Sequence, residues 1–164
     1  MRSNIHLSIH ALSVGLIAAM VIYVCSLFSW QAWVVFFAWA NFFLHGSNLK
    51  KSFKLLIALI TGIFLALAAT YCINYLSNHV IVNSPKVYPV MMVVFVLASL
   101  IIFLEYFRSW KELIPAIFLG TVLYFATDTN NSDLAYQLVL PLLFGLISGL
   151  LTIFVRTKLD AVLK

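Results

Sequence analysis

Residues 53–76 read FKLLIALITGIFLALAATYCINYL, from Phe53 to Leu76, and Lys54 is the only charge among them. As a helix this stretch would rise about 36 Å at 1.5 Å per residue. That is enough to cross a hydrocarbon core of about 30 Å. Five more apolar segments flank it: Leu7–Phe28, Trp30–Leu44, Tyr88–Leu104, Leu113–Thr127 and Leu134–Val155. Hydrocarbon offers no partner to an unpaired backbone group, so each is expected to be helical. Turn-forming residues separate them, at His45-Gly46-Ser47-Asn48, Asn83-Ser84-Pro85 and Thr127-Asp128-Thr129-Asn130-Asn131-Ser132. The second and fifth segments are short for a crossing; they are expected to tilt little, to be distorted or to stop short.

Composition agrees. Of 164 residues, 64% are hydrophobic and only 9% are charged, against about 25% charged in a soluble domain. Too few polar side chains remain to cover a soluble surface, which argues against a soluble enzyme, a disordered chain and a disulfide scaffold. The expected fold is an all-α integral membrane protein with about six transmembrane helices, forming one polytopic membrane domain over residues 1–164. The first apolar stretch exceeds a signal-peptide core and no small-residue cleavage site follows it, so it reads as a retained span. Cys25 and Cys72 each lie inside an apolar run and are expected to be buried free thiols.

The basic residues set the orientation. With six crossings and a cytoplasmic N-terminus, the inside receives Arg2, Lys50, Lys51, Lys54, Arg108, Lys111, Arg156, Lys158 and Lys164, and only Lys86 falls outside. The positive-inside rule then puts both termini in the cytoplasm. The net charge of +5 is thereby accounted for by the lipid bilayer as partner, with no nucleic acid.

The two halves resemble one another. Ser29-Trp30 opens the second span and Ser109-Trp110 precedes the fifth; Leu55–Leu67 (LLIALITGIFLAL) can be laid on Leu138–Leu150 (LVLPLLFGLISGL), matching Gly62 to Gly145 and Ala66 to Gly149. Three spans per half, with a short one in the middle, is the pattern of a 3+3 inverted-topology repeat, about 5–78 and about 87–157. Three is odd, so the second half enters the membrane from the opposite side.

Ser29-Trp30, the aromatic-rich span running to Gly46 and Lys50, then Pro115, Phe118, Gly120, Phe125-Ala126 and Leu140-Pro141 with Gly145 and Gly149 carry a resemblance over nearly the whole chain. The sequence resembles the bacterial inner-membrane proteins numbered 1097 among the domains of unknown function, the YcdZ-like group. Where that family has a Gly-Gly pair after the second span, this chain reads Gly46-Ser47. The resemblance implies a bacterial cytoplasmic membrane location. It implies no activity, substrate or catalytic residue.

Polar groups inside spans are the default functional candidates, because apolar surroundings make them costly. His6 and His10 share one face of the first helix, and Asn41 and His45 one face of the second, near ends expected to be cytoplasmic. Glu105 lies near the same end of the fourth. Should these ends meet, His10, His45 and Glu105 would form a proton-responsive cluster; otherwise they are solvated at headgroup depth. No closed ligand set for zinc is visible, and no cofactor is expected. Deeper lie Asn41, Thr61, Thr70, Asn74, Thr121, Tyr124 and Gln137, which would either bond between helices or line a polar path. The path candidates are Asn41 and Thr121, placed by the repeat at equivalent sites of the two short spans. Gly62 with Ala66 and Gly145 with Gly149 allow close backbone approach. Packing of the third helix on the sixth is their expected use, and a homo-oligomer face the alternative. Pro141 should kink the sixth helix, whereas Pro115 is tolerated at the start of the fifth. Trp30, Tyr88 and Trp110 read as interfacial anchors.

Two functions compete. A channel or transporter for a small solute or ion fits the compact spans, the paired short segments and the small extramembrane mass. An accessory or structural membrane protein is the alternative, in which the deep polar residues could become apolar without loss. Hydrolase, zinc-protease and paired-aspartate motifs are all missing, so no enzyme activity is expected.

Overall fold

A computed structural model describes residues 2–80, 85, 87–108, 110–127 and 133–162, with side chains from Leu7 onward. It is all-helical among the described residues, with six helices: α1 (Arg2–Leu27), α2 (Ala32–Leu44), α3 (Leu49–Tyr75), α4 (Val87–Phe103), α5 (Ile114–Ala126) and α6 (Leu140–Val162). Four helical stretches are long and apolar enough to cross a membrane: Leu7–Leu27, Leu49–Val80, Val87–Tyr106 and Ala135–Val162. By contrast α2 and α5 have 13 residues each, about 20 Å of helix and less than the hydrocarbon thickness. Helix α6 runs past the expected end at Val155 to Val162, because its backbone bonds continue through the charged Arg156 and Lys158 at no cost in water.

The expected kink at Pro141 takes a specific form. A π-helical turn, Ala135–Val139, precedes it, and the Leu140 N–H donates to the Ala135 carbonyl five residues back. Proline has no N–H to give to the Gln137 carbonyl and its ring would clash there, so the ladder widens by one residue ahead of it. Pro115 sits in the first turn of α5, as expected.

The helices form two compact units, one of Met1–Ser52 with Ser132–Lys164 and the other of Phe53–Asn131. Neither coincides with a half of the chain. In the first unit α1 runs antiparallel to α6: the Tyr136 hydroxyl donates to the Phe28 carbonyl at one end (2.8 Å) and His10 meets Asp160 at the other. Helix α2 runs parallel to α6, since Gly145 packs on Val35 and Ala38 while Gly149 packs on Phe42, further along both helices. Ile17, Val21 and Cys25 of α1 close the core against Val35 and Trp39. Trp30 belongs to this packing: its ring stacks on Phe28 (4.9 Å between centroids) and lies 5.9 Å from Phe144, with its N–H buried.

In the second unit α3 packs on α5, with Gly62 against Ile117, Gly120 and Thr121, and Gly120 against Leu59. Short 3₁₀ turns, Leu104–Tyr106 and Lys111–Leu113, lead from α4 towards α5. The outer faces of α1 and α4 are apolar and exposed, with Leu7, Leu12, Leu16, Phe95 and Phe103 among them, a surface suited to lipid chains. Cys72 is also exposed, contrary to expectation, while Cys25 is buried.

Two turns depend on left-handed backbone. At the end of α2 the Ser47 N–H bonds the Phe42 carbonyl (3.2 Å) and the Gly46 N–H the Phe43 carbonyl (3.0 Å), the paired bonds of a Schellman cap. Gly46 and Ser47 both have positive φ, 76° and 56°, so both positions are conformationally demanding. At the end of α1, Ser29 has φ 54° and the Trp30 N–H reaches back to the Cys25 carbonyl (2.9 Å). Ser29-Trp30 therefore closes α1 instead of opening the second span.

Candidate functional site

Each residue of the expected titratable cluster has a partner within its own unit. His10 Nε2 lies 2.8 Å from Asp160 Oδ1, the His10 side chain being 14% exposed and Asp160 54%. His45 Nδ1 lies 3.0 Å from the carbonyl of Asn41 on its own helix. Glu105 meets Lys111 at 3.3 Å, with both side chains well exposed. Exposed pairs of this kind are worth at most about 1 kcal/mol. Asp160 escapes a reading that ends the last span at Val155. Continuing the packed face of α6 by threes and fours, through Gly145, Gly149, Thr152 and Arg156, reaches it. The His6 side chain, Asp128, Lys86 and Lys164 lie outside the described residues.

The deeper polar groups turn back onto their own helices. Asn41 Nδ2 donates to the Phe37 carbonyl (2.9 Å), Thr121 to Phe118 (2.7 Å), Thr61 to Ile57 (2.8 Å) and Thr70 to Ala66 (3.0 Å). Ser148 and Thr152 of α6 do the same, to Phe144 and Ser148. A hydroxyl that bonds the carbonyl three or four residues back satisfies itself in an apolar medium without a second helix. Asn74 is exposed at the end of α3. Trp39 is different: it is buried, and its indole N–H has no acceptor in the structure.

The glycine surfaces are real, but their partners differ from those expected. Gly145 and Gly149 face α2, and Gly62 faces α5. Close approach needs small residues on both sides of a crossing. Ala38 provides one against Gly145, and Gly120 another against Gly62. The Gly-x-x-x-small patterns marked one side of each crossing, and the short helices hold the other.

The two crossings match position for position. A Cβ on Gly145 would meet the Val35 carbonyl oxygen, then Ala38 Cβ and Trp39 N; one on Gly62 would meet the Ile117 carbonyl oxygen, then Gly120 Cα and Thr121 N. Laid start to start, α2 and α5 pair Val35 with Ile117, Ala38 with Gly120 and Trp39 with Thr121. All six buried residues of α2 then fall on buried residues of α5, the remaining pairs being Val34 with Ala116, Asn41 with Leu123 and Phe42 with Tyr124. This register differs by two residues from the one that paired Asn41 with Thr121. The capping residues pair as well: His45 and Thr127 each direct a side chain to the carbonyl four residues back.

Fold and packing define an all-helical chain with four membrane-spanning-length helices and two short ones held by glycine crossings. The chain belongs to the family described as Protein of unknown function (DUF1097), which matches residues 11–155. No curated protein and no solved structure matches it.

Proposed function

We propose that this protein is a small-solute or ion channel or transporter of the bacterial cytoplasmic membrane, built as a 3+3 inverted-topology repeat with both termini cytoplasmic. The observation that carries the reading is the pair of 13-residue helices. Each is shorter than the hydrocarbon core and completes its crossing through the residues that flank it, each occupies the middle of its half, and each is buried at corresponding positions. Short segments at matched positions of two halves are the strongest pointer to a transporter's binding region. The matching crossings of Gly62 and Gly145 support the repeat, and the distribution of Lys and Arg supports the orientation. Asn41 and Thr121, one on each short helix, remain the residues to test.

The accessory reading draws support from a specific observation: the hydroxyls of Thr61, Thr70 and Thr121 are satisfied within their own helices. A path lined by them would offer fewer free donors to a solute.

Reconstitution into liposomes separates the two. Flux of small neutral solutes, weak acids and monovalent ions is followed for the parent and for Asn41→Leu with Thr121→Leu. Selective flux abolished by the double substitution is expected. Folded protein that passes nothing across this panel would leave the accessory role as the better account.

A further inference from the structure

We infer that the two halves exchange their third helices, so that each half is completed only by the other. This deepens the repeat reading above and rests on it. Matching α1 with α4, α2 with α5 and α3 with α6 turns the first unit, which holds α1, α2 and α6, into α4, α5 and α3. Those are the helices of the second unit, apart from the first turn of α3. The same three-helix assembly therefore occurs twice, and each time its third member comes from the other half of the chain.

Burial follows this correspondence at most positions of every helix pair, with buried Cys25 against exposed Glu105 and buried Ser52 against exposed Ala135 the exceptions. With Gly62 laid on Gly145, Leu55, Ala58, Leu59, Ala66 and Ala69 fall on Leu138, Pro141, Leu142, Gly149 and Thr152, all buried. The Ser29-Trp30 register pairs Ile9 with Pro89, Ser13 with Val93, Ile17 with Leu97, Ala18 with Ala98, Val21 with Ile101 and Val24 with Leu104. The second members are the only positions from Val87 to Leu104 that are not exposed, and none of the first members is exposed. A helix with one buried stripe matches another such helix easily. The corresponding residues met at Gly62 and Gly145, and the equal lengths of α2 and α5, are not matched by periodicity alone.

Physically, the glycine faces are interaction surfaces. Between helices in lipid there is little hydrophobic drive, and close packing of backbones supplies the attraction. The Gly62 face takes α5 and the Gly145–Gly149 face takes α2, so each half presents one such surface and one receptor for its counterpart. The partner of each surface is the middle helix of the other half.

The test uses the full chain with Cys25→Ala and Cys72→Ser, folded in the membrane, carrying a protease recognition sequence inserted between residues 83 and 84. After cleavage in mild detergent the two fragments should co-elute one to one. Gly62→Ala and Gly145→Ala should each weaken that association at least about fivefold, the low end of an overpacked backbone contact. Fragments that separate while keeping their helicity would overturn the exchange, as would association indifferent to both glycine substitutions. If the glycine variants aggregate before cleavage, Trp30→Cys with Phe144→Cys provides the second measurement. A thiol-to-thiol cross-linker should then join the fragments covalently, and fragments that stay unlinked would overturn the exchange. Cysteine labelling that puts residues 51 and 133 on one side of the membrane would remove the inversion while leaving cross-half association standing, so the two failures are distinguishable.

Discussion

Gly145→Ala tests the α2–α6 crossing directly. The new methyl would press on the Val35 carbonyl and stand 2.6 Å from Ala38 Cβ and 3.2 Å from Trp39 N. Ordinary contact begins at 3.4 Å. The methyl pair alone therefore asks the axes to part by about 0.8 Å, a gap that forfeits a quarter to a half of each van der Waals contact along the seam. Overpacking costs about 1–3 kcal/mol, and backbone on the far side puts this site at the upper end. Alanine returns about 1 kcal/mol through its better helix propensity. The net loss should be about 2 kcal/mol, close to 30-fold in the folding equilibrium. Gly15→Ala is the control, because a Cβ there meets nothing within 4 Å; it should gain about 1 kcal/mol from propensity alone. Equilibrium unfolding in mixed micelles, followed by tryptophan fluorescence, reads both. A Gly145→Ala protein as stable as the parent, or a Gly15→Ala protein that loses as much, would refute the reasoning.

Ser47→Gly should stabilise the protein by about 1 kcal/mol, because a left-handed non-glycine residue is strained; a lower thermal midpoint would show that the hydroxyl does something the backbone does not reveal. Thr70→Val should change stability by no more than about 0.5 kcal/mol, since its hydroxyl bonds only the Ala66 carbonyl of its own helix. A loss near 2 kcal/mol would mean that it joins two helices. In cells whose protein lacks Cys25 and Cys72, a membrane-impermeant thiol reagent should label Asp133→Cys and spare Lys51→Cys. The reverse pattern would invert the proposed topology.

Much of the architecture was legible in the chain. The six helices fall where the apolar runs do, the punctuation at Gly46 and Thr127 marks real helix ends, and Pro115 sits in the first turn of α5. The short middle segments were visible as a shortage of apolar residues. The candidate site was far less legible. His10 and Asp160 are 150 positions apart, and no local pattern brings the end of α6 to the start of α1. Asn41 and Thr121 looked like groups in need of partners, but intrahelical carbonyls three or four residues away were available all along.

Composition and periodicity determined the membrane class, the number of helices and their approximate bounds, because hydrocarbon tolerates little but apolar helix and that demand is written residue by residue. Which helix meets which was decided only in three dimensions. A glycine face is complementary to any small-residue surface, so Gly62 and Gly145 could equally have met each other. The small residues of the short helices, Gly120 and Ala38, decided it by allowing two backbones to touch at once.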